Sequence, residues 1–129
     1  MNVTKEQMKV LRAAQQGEVD AVFMYDRLAG KVKDVSDALA FKRLASDEQR
    51  HADVFRAYTG KDLRPNPTKA IMVPLMYKLL GKDKVYPIIA KAEYAAADKY
   101  SHIVGEFPEV EAVMNDEAHH GDAVMGLLK

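Results

Sequence analysis

Two copies of a Glu-x-x-His pattern are the residues in this sequence best suited to chemistry. Glu48 precedes His51 by three positions, and Glu117 precedes His120 by three positions. Residues three apart on an α-helix lie on one face about 5–6 Å apart, so each Glu and its His point the same way. Apolar residues flank both pairs at helical spacing, which predicts that both pairs face the core. Because an unpaired buried charge is costly, a metal ion held by these groups is the simplest compensation.

The two halves of the chain also share a Glu-x6-Tyr pattern. Glu18 precedes Tyr25 by seven residues, and Glu93 precedes Tyr100 by seven residues, all four on apolar stripes at helical spacing. Each half therefore reads as Glu-x6-Tyr, a turn, and then Asp-Glu-x-x-His.

Turn positions indicate which of these side chains meet. Glu18 and Glu48 are equally distant from position 33, where a turn is predicted, and Glu93 and Glu117 are equally distant from Gly105. In an antiparallel helical hairpin, residues equidistant from the turn lie at the same height. In each hairpin, the two glutamates are therefore expected to lie at the same height along the helix axes.

The elements that position these residues are predicted to be four long helices and one short helix. No strand pattern of period two competes, so the fold class is all-α. Caps, glycines and prolines set the predicted boundaries. The first helix is predicted over 5–29, with a Thr4–Gln7 capping box at its start and Gly30 at its end. The second is capped by Asp34 or Ser36 and ended by Gly60, and a short helix over 69–80 is capped by Thr68 and kinked at Pro74. The third long helix is capped by Asp83 and has Pro87 in its first turn, and the fourth has Pro108 in its first turn.

The long connection over residues 59–83 predicts the topology. Its short helix provides a rise of about 18 Å, enough to travel much of a bundle's length, whereas an up-down-up-down bundle needs only a few residues there. A ferritin-like four-helix bundle, two antiparallel hairpins joined by one crossover, is therefore expected, with residues 1–129 as one domain.

Composition excludes several classes of function. The 129 residues include 19 basic and 19 acidic residues, so neither nucleic acid nor an anionic membrane is an expected partner. No membrane span or signal peptide is visible, and a cytoplasmic location is expected. Cysteine is absent, which excludes disulfides, thiolate metal sites and a cysteine nucleophile. Carboxylates and imidazoles must hold any metal, and they suit iron, manganese or zinc.

The predicted ligand set is one Glu from each of two helices and Glu-x-x-His from each of the other two, as in di-iron and di-manganese carboxylate bundles. In these residues and the two tyrosines, the sequence resembles the rubrerythrin branch of the ferritin-like superfamily from Glu18 to His120. The resemblance implies two iron ions, with manganese or zinc as alternatives. It implies that Glu48 and Glu117 bridge the two metals. It further implies that Glu18 and His51 together bind one metal and that Glu93 and His120 together bind the other.

Four further residues are candidates for supporting these ligands. Tyr25 and Tyr100 are either core aromatics or hydrogen-bond donors that orient metal-bound carboxylates. Asp47 and Asp116 precede the two histidines by four residues, and they either accept the imidazole N–H that the metal does not use or are solvated helix residues.

The sequence departs from peroxide-reducing rubrerythrins in two ways. Those proteins usually end in a four-cysteine, rubredoxin-type iron domain, which these 129 residues do not contain. They also carry a further carboxylate one turn after the third-helix Glu, where this sequence has Ala96 and Ala97. Electrons are therefore expected from another protein, such as a rubredoxin-like protein or a flavoprotein, or from Fe²⁺ itself.

The preferred interpretation is a non-haem di-iron oxidoreductase that reduces hydrogen peroxide or dioxygen and forms a homodimer or a larger homo-oligomer. The first alternative is a ferroxidase that stores or detoxifies iron. The second is a non-catalytic metal-binding bundle. A bundle without metal would require Arg43, Arg50 or Lys91 to fold back as counter-ions for the buried carboxylates.

Overall fold

The computed structural model describes residues 3–129, and within this range the chain forms five helices and no strand. They are α1 Lys5–Ala29, α2 Val35–Thr59, α3 Thr68–Leu80, α4 Lys82–Ser101 and α5 Val110–Gly126. The all-α prediction is confirmed. The chain divides into two compact units, residues 1–74 and residues 75–129, with the boundary inside α3. Each unit contains one of the two predicted hairpins, α1 with α2 and α4 with α5.

Side-chain caps begin both helices of the first hairpin as the sequence predicts. The Gln7 N–H donates to Thr4 Oγ1 at 3.1 Å, and the Thr4 N–H donates to Gln7 Oε1 at 2.9 Å, which completes the capping box. Asp34 Oδ1 accepts from the N–H of Ser36 at 2.8 Å and so caps α2. Gly60 ends α2 in the left-handed conformation, with φ at 65°, which glycine adopts without steric cost.

Contacts at both ends show that α1 and α2 are antiparallel. Near the turn, Tyr25 stacks on Phe41 with ring centroids 5.8 Å apart. At the opposite end of α2, the Thr59 hydroxyl donates to Gln15 Oε1 at 2.5 Å. Between these contacts lie buried apolar residues, among them Leu44, Ala52 and Phe55, together with several buried polar side chains, so the hairpin has its own core.

The segment between α2 and α3 is irregular, as its two prolines predict, but it is firmly attached to α1. Side chains of α1 hold it through three hydrogen bonds. Gln15 Nε2 donates to the Lys61 carbonyl at 2.7 Å, and Gln16 Nε2 donates to the Arg64 carbonyl at 2.9 Å. Asp20 Oδ1 accepts from the N–H of Asn66 at 2.7 Å. The loop is therefore part of the surface of the first hairpin.

The short helix α3 begins one residue earlier than predicted and continues past Pro74. Asn66, rather than Thr68, supplies the capping oxygen, because Asn66 Oδ1 accepts from the Thr68 N–H at 3.0 Å. Pro74 is buried within the helix and does not end it. Gly81, with φ at 79°, ends α3.

Three predicted details of the second hairpin are wrong. Gly81, not Asp83, is the N-cap of α4, because its left-handed backbone lets α4 begin at the next residue. Asp83 lies in the first turn, where a negative charge interacts favourably with the helix dipole. Pro87 is the sixth residue of α4 and so lies beyond the first turn. Pro108 precedes α5 rather than lying in its first turn, and its carbonyl oxygen accepts a hydrogen bond from the N–H of Glu111 at 3.1 Å.

A hydrogen bond joins the start of α4 to the residue after α5, since Lys82 Nζ donates to the Leu127 carbonyl at 3.2 Å. Buried apolar residues of both helices form the core of the second hairpin, among them Val85, Tyr86 and Ile89 of α4 and Val113 and Val124 of α5. In the part of the chain described, no helix has the length and apolar character needed to cross a bilayer.

Candidate metal centre

The first hairpin brings Glu18 of α1 together with Glu48 and His51 of α2. His51 Nδ1 lies 3.1 Å from Glu48 Oε1 and 3.6 Å from Glu18 Oε2. Glu48 and His51 are one turn apart on α2, and Glu18 reaches them because the turn places it at the height of Glu48. We call these three residues the first triad.

The second hairpin repeats this arrangement with Glu93 of α4 and with Glu117 and His120 of α5. His120 Nδ1 lies 3.4 Å from Glu117 Oε1 and 3.5 Å from Glu93 Oε2. These residues form the second triad. All six side chains are buried, with between 1 and 6% of their surface exposed.

The spacing within each triad suits ligands of a single metal ion. Oxygen and nitrogen ligands lie about 2.1 Å from a small divalent ion, so neighbouring ligands of an octahedral ion are about 3 Å apart. The Nδ1–oxygen distances in the triads are 3.1 to 3.6 Å. Within each triad, one ligand atom from every residue lies within 4.8 Å of the others. A small contraction around an ion would bring each triad to ligand geometry.

The hydrogen-bonding of these groups is also consistent with metal ligation. In residues 3–129, one buried atom on each side chain forms no hydrogen bond, although other contacts of the same residues exist. These atoms are Glu18 Oε2, Glu48 Oε1, His51 Nδ1, Glu93 Oε2, Glu117 Oε1 and His120 Nδ1. They are the same atoms that face one another across each triad, and carboxylate oxygen and imidazole nitrogen are suitable ligands for iron.

Basic side chains do not fold back toward the triads as the metal-free alternative requires. Arg50 forms an ion pair with Asp47 and has 63% of its side chain exposed. Arg43 and Lys91 are also exposed. The alternative of a bundle held by these counter-ions is therefore disfavoured.

Both tyrosines of the Glu-x6-Tyr pattern are buried. Tyr25 stacks on Phe41, and Tyr100 lies on the buried face of α4. Asp47 accepts a hydrogen bond from Arg50, and Asp116 is half-buried. The assignment of these four residues as supports of the ligands stays a prediction.

A contact beside the second triad was not predicted from the sequence. Tyr94, the residue after Glu93, lies against Gly121, the residue after His120, and its hydroxyl donates to Asp122. This hydrogen bond, followed by desolvation and by the negative charge of Asp122, raises the pKa of Tyr94 above its usual 10.0. Superposition of the two sequence halves would have identified the position, because the first half has Val19 where the second has Tyr94.

Comparison with known proteins identifies the family of the chain. A family model described as Rubrerythrin matches residues 9–128. The chain belongs to the rubrerythrin family. Searches of curated proteins and of solved structures gave no significant match. Rubrerythrins typically bind iron, and the two triads of this rubrerythrin are buried groups able to hold it.

Proposed function

We propose that this rubrerythrin-family protein is a non-haem di-iron oxidoreductase that reduces hydrogen peroxide or dioxygen. The observation that carries the proposal is the repeated triad: in each hairpin, two buried glutamates face one imidazole nitrogen at 3.1 to 3.6 Å. Such a constellation is costly to bury without a cation and suits iron chemically.

Charge balance supports one divalent ion for each triad. Two carboxylates and a neutral imidazole carry a charge of −2, which one Fe²⁺ neutralises. The full set of four glutamates and two histidines would neutralise two Fe²⁺ ions in the same way. Glu18, Glu48 and His51 would hold one ion, and Glu93, Glu117 and His120 would hold the other.

The protein groups define what this centre would do. When bound, two Fe²⁺ ions would supply the two electrons that, with two protons, convert hydrogen peroxide to two molecules of water. The six side chains are buried, which limits access of bulk water, and their carboxylates could bind through one oxygen or two. Tyr25 and Tyr100 are proposed to orient the carboxylates through their hydroxyl groups.

Reduction requires a source of electrons outside these 129 residues, because the sequence contains no cysteine for an iron–sulfur or rubredoxin-type centre. A rubredoxin-like protein or a flavoprotein is the proposed donor. The same observation favours a second candidate function, in which Fe²⁺ is the substrate and is oxidised for storage or detoxification. A homodimer or small oligomer fits the reductase, whereas a closed shell of many subunits fits storage.

Stopped-flow mixing of the Fe²⁺-loaded protein with peroxide and, separately, with air-saturated buffer tests the proposal. The reductase predicts that peroxide oxidises the iron faster than dioxygen does and that an added reductant restores the ferrous state. Faster oxidation by dioxygen, with ferric iron accumulating beyond two ions per chain, would favour the ferroxidase. No oxidation by either would indicate a metal-binding bundle without redox activity.

A further inference from the structure

The side of each hairpin next to its triad is built differently in the two halves. In the second hairpin, the Tyr94 ring covers Gly121 and places its hydroxyl on Asp122. The Tyr94 ring therefore lies across α5 at the surface of the hairpin, with 41% of the residue exposed. The glycine is needed for this arrangement, because a Cβ at Gly121 would lie 2.5 to 2.9 Å from three ring carbons.

The first hairpin has the same ligands but no such ring. Its residues at the corresponding positions are Val19, which follows Glu18, and Ala52 and Asp53, which follow His51. The aspartate is thus present in both halves. In the first half, however, Val19 stands in place of Tyr94, and Ala52 stands in place of Gly121. At the position that corresponds to Tyr94, the first hairpin therefore has a smaller side chain without a ring or a hydroxyl group.

A cleft of about 450 Å³ opens at this place in the first hairpin, with Val19, Ala52 and Asp53 in its wall. Val22, Phe23 and Leu63, the last from the loop after α2, add apolar surface. The remaining wall is polar and partly open to solvent, with the side chains of Gln15, Asp26, Gln49, Arg56 and Asp62. Its volume lies in the range of roughly 300–1,000 Å³ that is usual for small-molecule sites.

The loop wall of the cleft is fixed rather than loose. Gln15 and Gln16 of α1 hold the carbonyls of Lys61 and Arg64 at 2.7 and 2.9 Å, and Leu63 lies between these two anchor points. Arg56 and Asp62, which also line the cleft, form an exposed ion pair of 2.7 Å. The cleft is therefore largely preformed, which reduces the entropy lost when a ligand binds.

We propose that this cleft binds a small monocyclic phenol, hydroquinones included, as a free ligand in the position that Tyr94 occupies in the other half. Asp53 accepts the hydroxyl hydrogen bond, as Asp122 does from Tyr94. Asp53 already accepts from Gln49 Nε2 at 3.2 Å, but a carboxylate has about four acceptor positions and accommodates both donors. Val19 and Val22 contact the ring.

The ligand class follows from this pairing of features. The apolar walls favour a ring, and the carboxylate favours a hydroxyl donor over a second anion. An ether or an unsubstituted ring offers no donor to Asp53. Because the site is defined by the cleft itself, the proposal does not depend on which redox reaction the triads support.

Fluorine NMR of 4-fluorophenol, with fluorobenzene as the ring without a hydroxyl, tests the proposal on the full chain. We expect saturable binding of 4-fluorophenol in the millimolar range or below, and binding of fluorobenzene at least about tenfold weaker, the usual effect of losing a hydrogen bond to a charged group. Equal binding of the two probes would overturn the proposal, since it would indicate an apolar surface only. Absence of saturable 4-fluorophenol binding would overturn it as well.

Variants locate the site. The double variant V19Y/A52G copies the second hairpin and should abolish 4-fluorophenol binding, because the introduced ring occupies the proposed position of the ligand. Unchanged binding in a folded double variant would overturn the proposal. If the double variant fails to fold, Asp53→Ala carries the test, because it lies on the exposed rim: binding should weaken about tenfold, and unchanged binding would overturn the assignment. Asp122→Ala is the matched control, and it should leave binding of the probe to the first hairpin unchanged.

Discussion

The Tyr94 ring lies directly over Gly121, and the two residues fit only because glycine has no side chain. A Cβ on Gly121 would approach three ring carbons to 2.5–2.9 Å. Both residues adjoin the second triad in sequence, Tyr94 after Glu93 and Gly121 after His120. The contact therefore joins α4 to α5 beside the second triad.

Gly121→Ala is predicted to give little or no net stabilisation, although alanine normally stabilises a helix interior by about 1 kcal/mol relative to glycine. The new methyl group displaces the Tyr94 ring and breaks its hydrogen bond to Asp122. In a Tyr94→Ala background the same substitution should recover the full gain. Denaturant unfolding of the four proteins in this cycle measures the difference.

Gly17→Ala is the control, because a Cβ there meets nothing within 4 Å. It should stabilise the protein by about 1 kcal/mol in either background. An equal gain from Gly121→Ala in the wild type would contradict the described contact.

The raised pKa of Tyr94 predicts a pH dependence at high pH. Tyr94 stays protonated in the folded state above pH 10.0, where a tyrosine of the unfolded chain loses its proton. The hydrogen bond to Asp122 therefore contributes its full stability below pH 10.0, and the contribution is lost as pH rises through the folded-state pKa. Tyrosinate absorbance should show one tyrosine titrating late, and Asp122→Asn should lower that pKa. If Asp122→Asn leaves the titration unchanged, the hydrogen bond does not cause the shift.

Much of the fold was predictable because its signals are local. The Thr4 capping box, the Asp34 cap and the left-handed Gly60 each depend on residues within one turn of the helix end. The triads were predictable because helical spacing and distance from the turn fix which side chains share a height. The start of α4 was predicted wrongly because Gly81 can act both as the end of α3 and as the cap of α4, a choice that depends on the path of the backbone.

Two buried features lacked a local signal. Gln15 and Thr59 are 44 positions apart, and their hydrogen bond depends on how the hairpin closes. The Tyr94–Gly121 contact likewise joins two helices, although comparison of the two halves shows the exchange of sizes at these positions.

Thr59→Ala is predicted to destabilise the protein by about 1–3 kcal/mol, because it leaves the buried Gln15 oxygen without its hydroxyl donor. The Gln15 amide also holds the loop at Lys61, so the loop should become more sensitive to proteolysis. Urea unfolding measures the first effect and limited proteolysis the second. Thr59→Ser, which keeps the hydroxyl, is the control and should lose less stability. Equal losses in the two variants would show that the methyl group, not the hydrogen bond, matters.

Tyr25→Phe separates a packing role from a role at the metal. The variant keeps the ring that stacks on Phe41 and removes only the hydroxyl. If the hydroxyl orients a ligating carboxylate, peroxide turnover or iron affinity should fall while the melting temperature changes little. Unchanged turnover and affinity would leave Tyr25 with a packing role only.

The number of Fe²⁺ ions bound per chain decides whether the six residues of the two triads are metal ligands. Anaerobic titration of the wild type should reach two Fe²⁺ per chain, and Glu48→Ala should lose stoichiometric binding of two ions while retaining its helical content. Glu106→Ala, which removes an exposed carboxylate in the turn before α5, should still bind two. Binding of two Fe²⁺ per chain by Glu48→Ala with wild-type affinity would contradict the account.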